Sequence, residues 1–152
     1  MTDTPTFAST TPRLGLPMLF TGQAQKEAFV NEAHSLIDAV TQCAIEGSAA
    51  TPPAMPANGT NWLVAVGATG DWAGQDGKIA CYQSGNWLFV APFDGLSIFN
   101  RSTDQFVHYS NVWKTPSSVI APSGGTTIDT QARSALAALI SALQTAGVLP
   151  GG

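Results

Sequence analysis

Between positions 13 and 47 the apolar and polar residues alternate with a helical period. From Gln23 onward, Phe29, Ala33, Leu36, Ile37, Val40 and Ala44 fall on one face, and Glu27, Asn31, His34, Asp38, Thr41 and Gln42 fall roughly opposite. Pro17 and Gly22 punctuate the approach, and no helix breaker follows until Gly47. The spacing predicts an amphipathic helix of about six turns, at ~3.6 residues each, with one side buried. Its first turn departs from this order. Lys26 projects toward the apolar side and Gln25 sits near its edge. An unpaired lysine is costly to bury, so this end is expected to leave the core. Gln23, Gln25 and Lys26 are then either a solvated helix start or a group that docks a partner.

After a Pro/Gly/Ala connector at 47–60, the period changes from helical to alternating. Short strands are expected at 61–66, 78–83, 86–91, 96–100, 105–109 and 112–114, with a four-glycine loop at 67–77. Ser84-Gly85 suits a two-residue hairpin, and residues 101–104 suit a longer one. A weak internal echo, Tyr82 with Trp87 and Tyr109 with Trp113, places an aromatic pair on each hairpin. The predicted unit is a small antiparallel β meander with aromatics at its turns.

A linker at 116–127 follows, and the remainder, 128–152, reads as a terminal helix over 130–146. Thr127 or Asp129 begins it, and Gly147 and Pro150 stop it. Ala132, Leu136, Leu139, Leu143 and Ala146 are spaced 4-3-4-3, a narrow heptad seam. A lone helix of this length is marginal in water and needs a partner. That partner is either another copy, with Leu136, Leu139 and Leu143 as the oligomer seam, or the chain's own domain. The whole is then α+β: a flexible arm at 1–12, a long N-terminal helix packed on the meander over 13–115, the linker and the C-terminal helix.

The run GLPMLFTGQAQKEAFVNEAHSLIDA carries a recognisable pattern: Leu16-Pro17, Gln23-Ala24-Gln25-Lys26, Asn31-Glu32-Ala33, then Asp38. Together with the Pro-rich segment at 51–60, the run at 67–74 and the segment at 82–92, it resembles a domain family of unassigned function. That family is common in alphaproteobacterial prophages and gene transfer agents. The resemblance covers about three fifths of the chain, residues 13–99. It implies a virion component among tail fibres and head spikes, with other virion proteins as partners, and it carries over no catalytic residues.

Composition narrows the chemistry. Charged residues make up 11% and the net charge is −4, with six Lys or Arg spread along the chain. No basic stripe is present to hold phosphates, so nucleic acid is not an expected partner. No apolar run reaches a membrane span, and positions 1–12 do not read as a secretory signal. A chain made in the bacterial cytoplasm and released by lysis inside a particle fits both observations. Cys43 and Cys81 read as buried thiols, with a disulfide left open.

His34 and His108 lie in no nucleophile or metal motif, so no enzyme activity, cofactor or metal is expected. Asp71, Asp76, Asp94 and Asp104 fall in turns, where aspartate ordinarily bonds the backbone. The aromatics are the better binding candidates. Trp72, Trp113, Tyr82 and Tyr109 could stack on a host-surface polysaccharide or anchor an interface, with Trp72 the most exposed, while Trp62 and Trp87 fill the core. A glycan-binding module is accordingly the second reading beside a structural virion component.

Overall fold

Two α-helices and a seven-stranded sheet organise the computed structural model, which describes residues 16, 17, 19, 22 and 24–151. The expected arm at 1–12 and the candidate Gln23 lie outside the described residues. In chain order the elements are α1 (Lys26–Val40), β1 (Ala44–Ala49), β2 (Asn61–Val64), β3 (Ile79–Gln83), β4 (Asn86–Val90), β5 (Ser97–Asn100), β6 (Gln105–Ser110), β7 (Val112–Lys114) and α2 (Thr130–Thr145).

The class is α+β, but two expectations are corrected. The first helix is not a long N-terminal element; it spans 15 residues and ends at Val40. Its last turn closes where the Thr41 N–H and hydroxyl both donate to the Ile37 carbonyl, at 2.9 and 2.7 Å. Gln42 then takes a left-handed conformation, φ 51°, and turns the chain away. Residues 44–49, expected as helix end and connector, form β1 instead. Local propensity is weak in AIEGSA; burial decides, because Ile45 and Gly47 are both buried in the sheet. Gly47 is mid-strand because a Cβ there would meet the Ser102 hydroxyl at 3.4 Å and the Trp62 ring at 3.8 Å.

The sheet is the second correction. It is mixed, with strand order β4-β3-β2-β1-β5-β6-β7, and not a small meander. Central β1 runs parallel to both β2 and β5, while all other pairs are antiparallel. Two three-stranded meanders, β2–β3–β4 and β5–β6–β7, therefore flank one shared strand. Their hairpins follow local chemistry: Ser84 and Gly85 both have positive φ, and Gln83 pairs with Asn86 across the two-residue turn.

The sheet curls strongly. Strands β3 and β7 are five steps apart in strand order, ~24 Å in a flat sheet at ~4.8 Å per step. Yet the Trp113 indole N–H on β7 donates to the carbonyl of Gly77, just before β3, at 2.8 Å. The concave side holds the main core, with Ile45, Ile79, Val90, Ile98 and Val107 from five strands and Leu36 from α1. Cross-strand pairing sets this face: Ile79 opposes Val90, and Ile98 opposes Val107. Only the second half of α1 contributes, through Leu36, Ala39 and Val40. Phe29 and Ile37, expected on the buried face, are exposed.

A parallel crossover from β1 to β2 must pass over a face of the sheet. Here residues 50–60, with Pro52, Pro53 and Pro56, pass on the convex side. The loop after β2 folds onto the same side through a 3-10 turn, Gly70–Trp72. The Asp76 carboxylate pins this loop, accepting from the Gly67 and Ala68 N–H groups at 2.9 and 3.0 Å. A second, smaller core results: Trp72 with Val64 and Ala80, bordered by Trp62, Trp87 and Phe89.

Helix α2 behaves differently from every other element. None of its 16 residues is buried. The Asp129 carboxylate caps it by accepting from the Ala132 N–H at 2.9 Å. A Schellman turn at Gly147 ends it, with Gly147 N–H donating to Gln144 and Val148 N–H to Leu143. Just past the helix the chain is tied down: the Phe106 N–H donates to the Gly147 carbonyl at 2.6 Å, Gly151 N–H donates to Thr103, and Leu149 is buried. Among the described residues, the helix is thus tied to the sheet through its C-terminal end.

Candidate functional site

On the convex side, the Pro-rich crossover and the tip of the β3–β4 hairpin enclose a cleft of about 360 Å³. Pro52, Pro53, Ala54 and Pro56 form one wall, Tyr82, Gly85 and Trp87 the other, and Asp71 the end. Each wall follows from the fold. Tyr82 and Trp87 are directly opposite in the β3–β4 register, so both rings stand on the convex face, 4.9 Å between centroids. Trp87 is braced from behind by Trp72, edge to face at 5.0 Å. Asp71 sits one residue before Trp72 in the pinned loop, and its carboxylate makes no hydrogen bond within the described residues.

The four turn aspartates now separate. Asp76 holds Gly67 and Ala68, and Asp94 accepts from the Asn111 N–H at 2.7 Å, so both work on the backbone. The two N–H groups hold the Asp76 carboxyl below its ordinary value of 3.8. Asp71 alone of the four lines the cleft.

The aromatic candidates are also redistributed. Trp72, expected to be the most exposed, is 0% exposed and is corrected to a core residue. Trp62 and Trp87 cover it, its indole N–H has no partner among the described residues, and no glycan reaches it. Tyr109 and Trp113 form the second cross-strand pair, 5.2 Å between centroids, but on the concave side against the main core. Trp113 is further committed by its bond to Gly77. Tyr82 is the one of the four in the cleft, where it meets Trp87, which the spacing had placed in the core. Sequence reasoning missed Asp71, Trp87 and the prolines as neighbours; the Tyr82–Trp87 echo was the signal that could have led to them.

Chemically, the cleft offers apolar C–H and ring faces, a phenol and one carboxylate. Such walls stack on the apolar face of a sugar ring while the carboxylate accepts from hydroxyls. Paired-acid glycoside hydrolysis needs two facing carboxylates, and among the described residues the lining holds one, Asp71.

A second groove, of about 630 Å³, lies on the other side of the same hairpin, between Asn31, Glu32, His34 and Ser35 of α1 and Gln83, Ser84, Asn86 and Leu88. Gln25 and Lys26 are exposed at the start of α1 and line neither groove. Cys43 and Cys81 are buried free thiols. Burial, and then the proximity of Cys81, pushes the Cys43 thiol up to about 11; burial, and then the Asp38 charge, raises Cys81. Among the described residues, no three His, Cys, Asp or Glu side chains gather as metal ligands, and no helix is long and apolar enough to cross a membrane.

Residues 30–114 match the family described as "Protein of unknown function (DUF2793)", and the chain belongs to that family. The match runs from within α1 to the end of β7, so it contains both grooves and stops short of the linker and α2. No curated protein matches the chain.

Proposed function

We propose that this chain is a structural subunit of a phage-like or gene transfer agent particle, a component or adaptor of a tail fibre or head spike. The observation that carries the reading is the C-terminal region. Residues 117–145 expose Val119, Ile120, Ile128, Leu136 and Leu139, and no residue of the helix is fully buried, Ile140 and Leu143 being partly covered by their own chain. A segment that builds a capped helix and leaves Leu136 and Leu139 in the open suits a protein that works inside an assembly. The low charge of the chain and its resemblance to prophage-borne domains support the same reading. Deleting the chain in its own bacterium should yield particles that lack a surface appendage under electron microscopy while capsid and tail persist. Particles unchanged in form would overturn the proposal.

A second reading is supported by the convex cleft: attachment to a host-surface glycan through Tyr82, Trp87 and Asp71. The two are compatible, because a fibre or spike subunit is where such a cleft would meet a cell. Titration with host polysaccharide fragments should quench tryptophan emission, and Tyr82→Ala should abolish the response. No response in the native protein would remove this reading.

A further inference from the structure

The lining of the convex cleft carries charge of one sign. Among the described residues, Asp71 is its one charged group, exposed and without a hydrogen bond, and no lysine, arginine or histidine joins it. Pro52, Pro53 and Pro56 make most of the crossover wall, and proline has no N–H to donate. Tyr82 and Trp87 make the facing wall, both half-buried, with their rings tilted 58° to one another. An aromatic face carries the negative part of its quadrupole. The cleft is therefore rich in acceptors and ring surface and poor in donors.

An acidic ligand meets the wrong partner at every point here. A carboxylate, sulfate or phosphate would face Asp71 and the ring surfaces with no cation to offset the repulsion. An ammonium group finds the reverse. Its bond to a carboxylate is charge-assisted, roughly twice as strong as a neutral one, and the neighbouring rings attract a cation as well. Asp71 closes one end of the cleft, so it fixes which way such a ligand lies. The walls are already tied together: the Ser84 N–H donates to the Asn58 side-chain oxygen at 2.7 Å, and the Gly59 N–H donates to the Tyr82 carbonyl at 2.8 Å. Walls fixed in advance lower the ordering cost of binding. At about 360 Å³ the cleft is at the small end of ligand sites, so it reads a short part of a chain.

We propose that the convex cleft selects an amino sugar, an oligosaccharide unit bearing a free amino group, with its ring against Tyr82 and Trp87 and its ammonium on Asp71. Uronates and other acidic glycans are turned away. This rests on the reading of the cleft as a glycan site, and it names the class of glycan. Asp71 sets the specificity, while Tyr82 and Trp87 supply ring contact that any sugar shares.

The test is isothermal titration calorimetry of the full chain at fixed ionic strength, in mildly acidic buffer where the amine is charged. The probes are a glucosamine trimer, its N-acetylated form and a galacturonate trimer. The amino trimer should bind about tenfold tighter than the acetylated one, and the uronate should not bind. Asp71→Asn should remove that tenfold difference. Glu27→Gln loses the same charge at an exposed site outside the cleft and should leave the difference intact. Tyr82→Ala should abolish binding of both trimers. Equal affinity for the amino and acetylated forms overturns the proposal, as does a preference that survives Asp71→Asn or falls equally in Glu27→Gln. A uronate that binds as tightly as the amino trimer overturns it too. A lysine tripeptide that matches the amino trimer would give the cleft to a cationic peptide and overturn it as well. In each of these cases Tyr82-dependent binding of host polysaccharide fragments leaves the glycan reading standing; that reading falls only when those fragments also fail to bind.

Discussion

Trp113 and Gly77 are joined by an indole-to-carbonyl hydrogen bond of 2.8 Å that links the last strand of the sheet to the turn before the third. This contact closes the concave side over Ile45, Ile79 and Ile98, which are fully buried. Trp113→Phe keeps an aromatic ring against Tyr109 and removes the donor. It should lower unfolding stability in urea by about 1 kcal/mol, the usual net worth of one such bond. An unchanged midpoint would mean that ring packing alone holds β7.

The Asp76 carboxylate works on the other side of the sheet. Because Gly67 and Ala68 lower its folded pKa, its contribution is complete above the ordinary 3.8 and fades as pH falls through the lower folded value. Asp76→Ala should release the loop at neutral pH. Trp72 emission, blue-shifted in the buried native site, should then shift red and become quenchable by iodide. A variant with native emission would show that Trp62 and Trp87 hold Trp72 without the loop.

The thiols give a reading of the core under α1. With Cys43 raised to about 11 and Cys81 raised as well, both stay protonated in the folded chain at neutral pH. Neither should react with a disulfide reagent on the timescale at which urea-unfolded protein reacts fully. The sign of the linkage predicts that their contribution is present below the ordinary thiol value of 9.0 and is lost as pH rises toward 11. Rapid native-state labelling would place an opening motion at the end of α1.

Gly147 is required twice over. Its φ is +68°, and a Cβ there would meet the Phe106 ring at 3.1 Å. Gly147→Ala should cost roughly 1–2 kcal/mol locally and loosen the anchor of α2. Hydrogen exchange of the Phe106 and Gly151 amides should accelerate while the sheet amides β1–β5 keep their protection. Uniform acceleration would mean that the C-terminal anchor is part of the global fold.

Much of this was legible where the signal is local. Of the two starts offered for α2, Thr127 and Asp129, it is Asp129 that caps it, and Gly147 ends it as expected, because caps act within one turn. Ser84-Gly85 named its hairpin for the same reason. β1 was not legible: Ala44 to Ala49 contains one strong strand former, and the strand exists because β2 and β5 pair with it on both sides. The glycine-rich loop read as exposed, yet Asp76 folds it back and buries Trp72. The two Tyr–Trp pairs looked equivalent. The curl of the sheet puts Tyr82–Trp87 in an outer cleft and Tyr109–Trp113 against the inner core. Spacing carries the pairing but not the face.

The particle reading proposed above requires the chain to be built into a particle. Quantitative mass spectrometry of density-gradient-purified particles from the producing bacterium tests it most directly. This chain should appear in the particle band at a fixed ratio to the capsid protein, unchanged by salt and detergent washes. Its confinement to the unassembled fraction, with none banding with the particles, would contradict it.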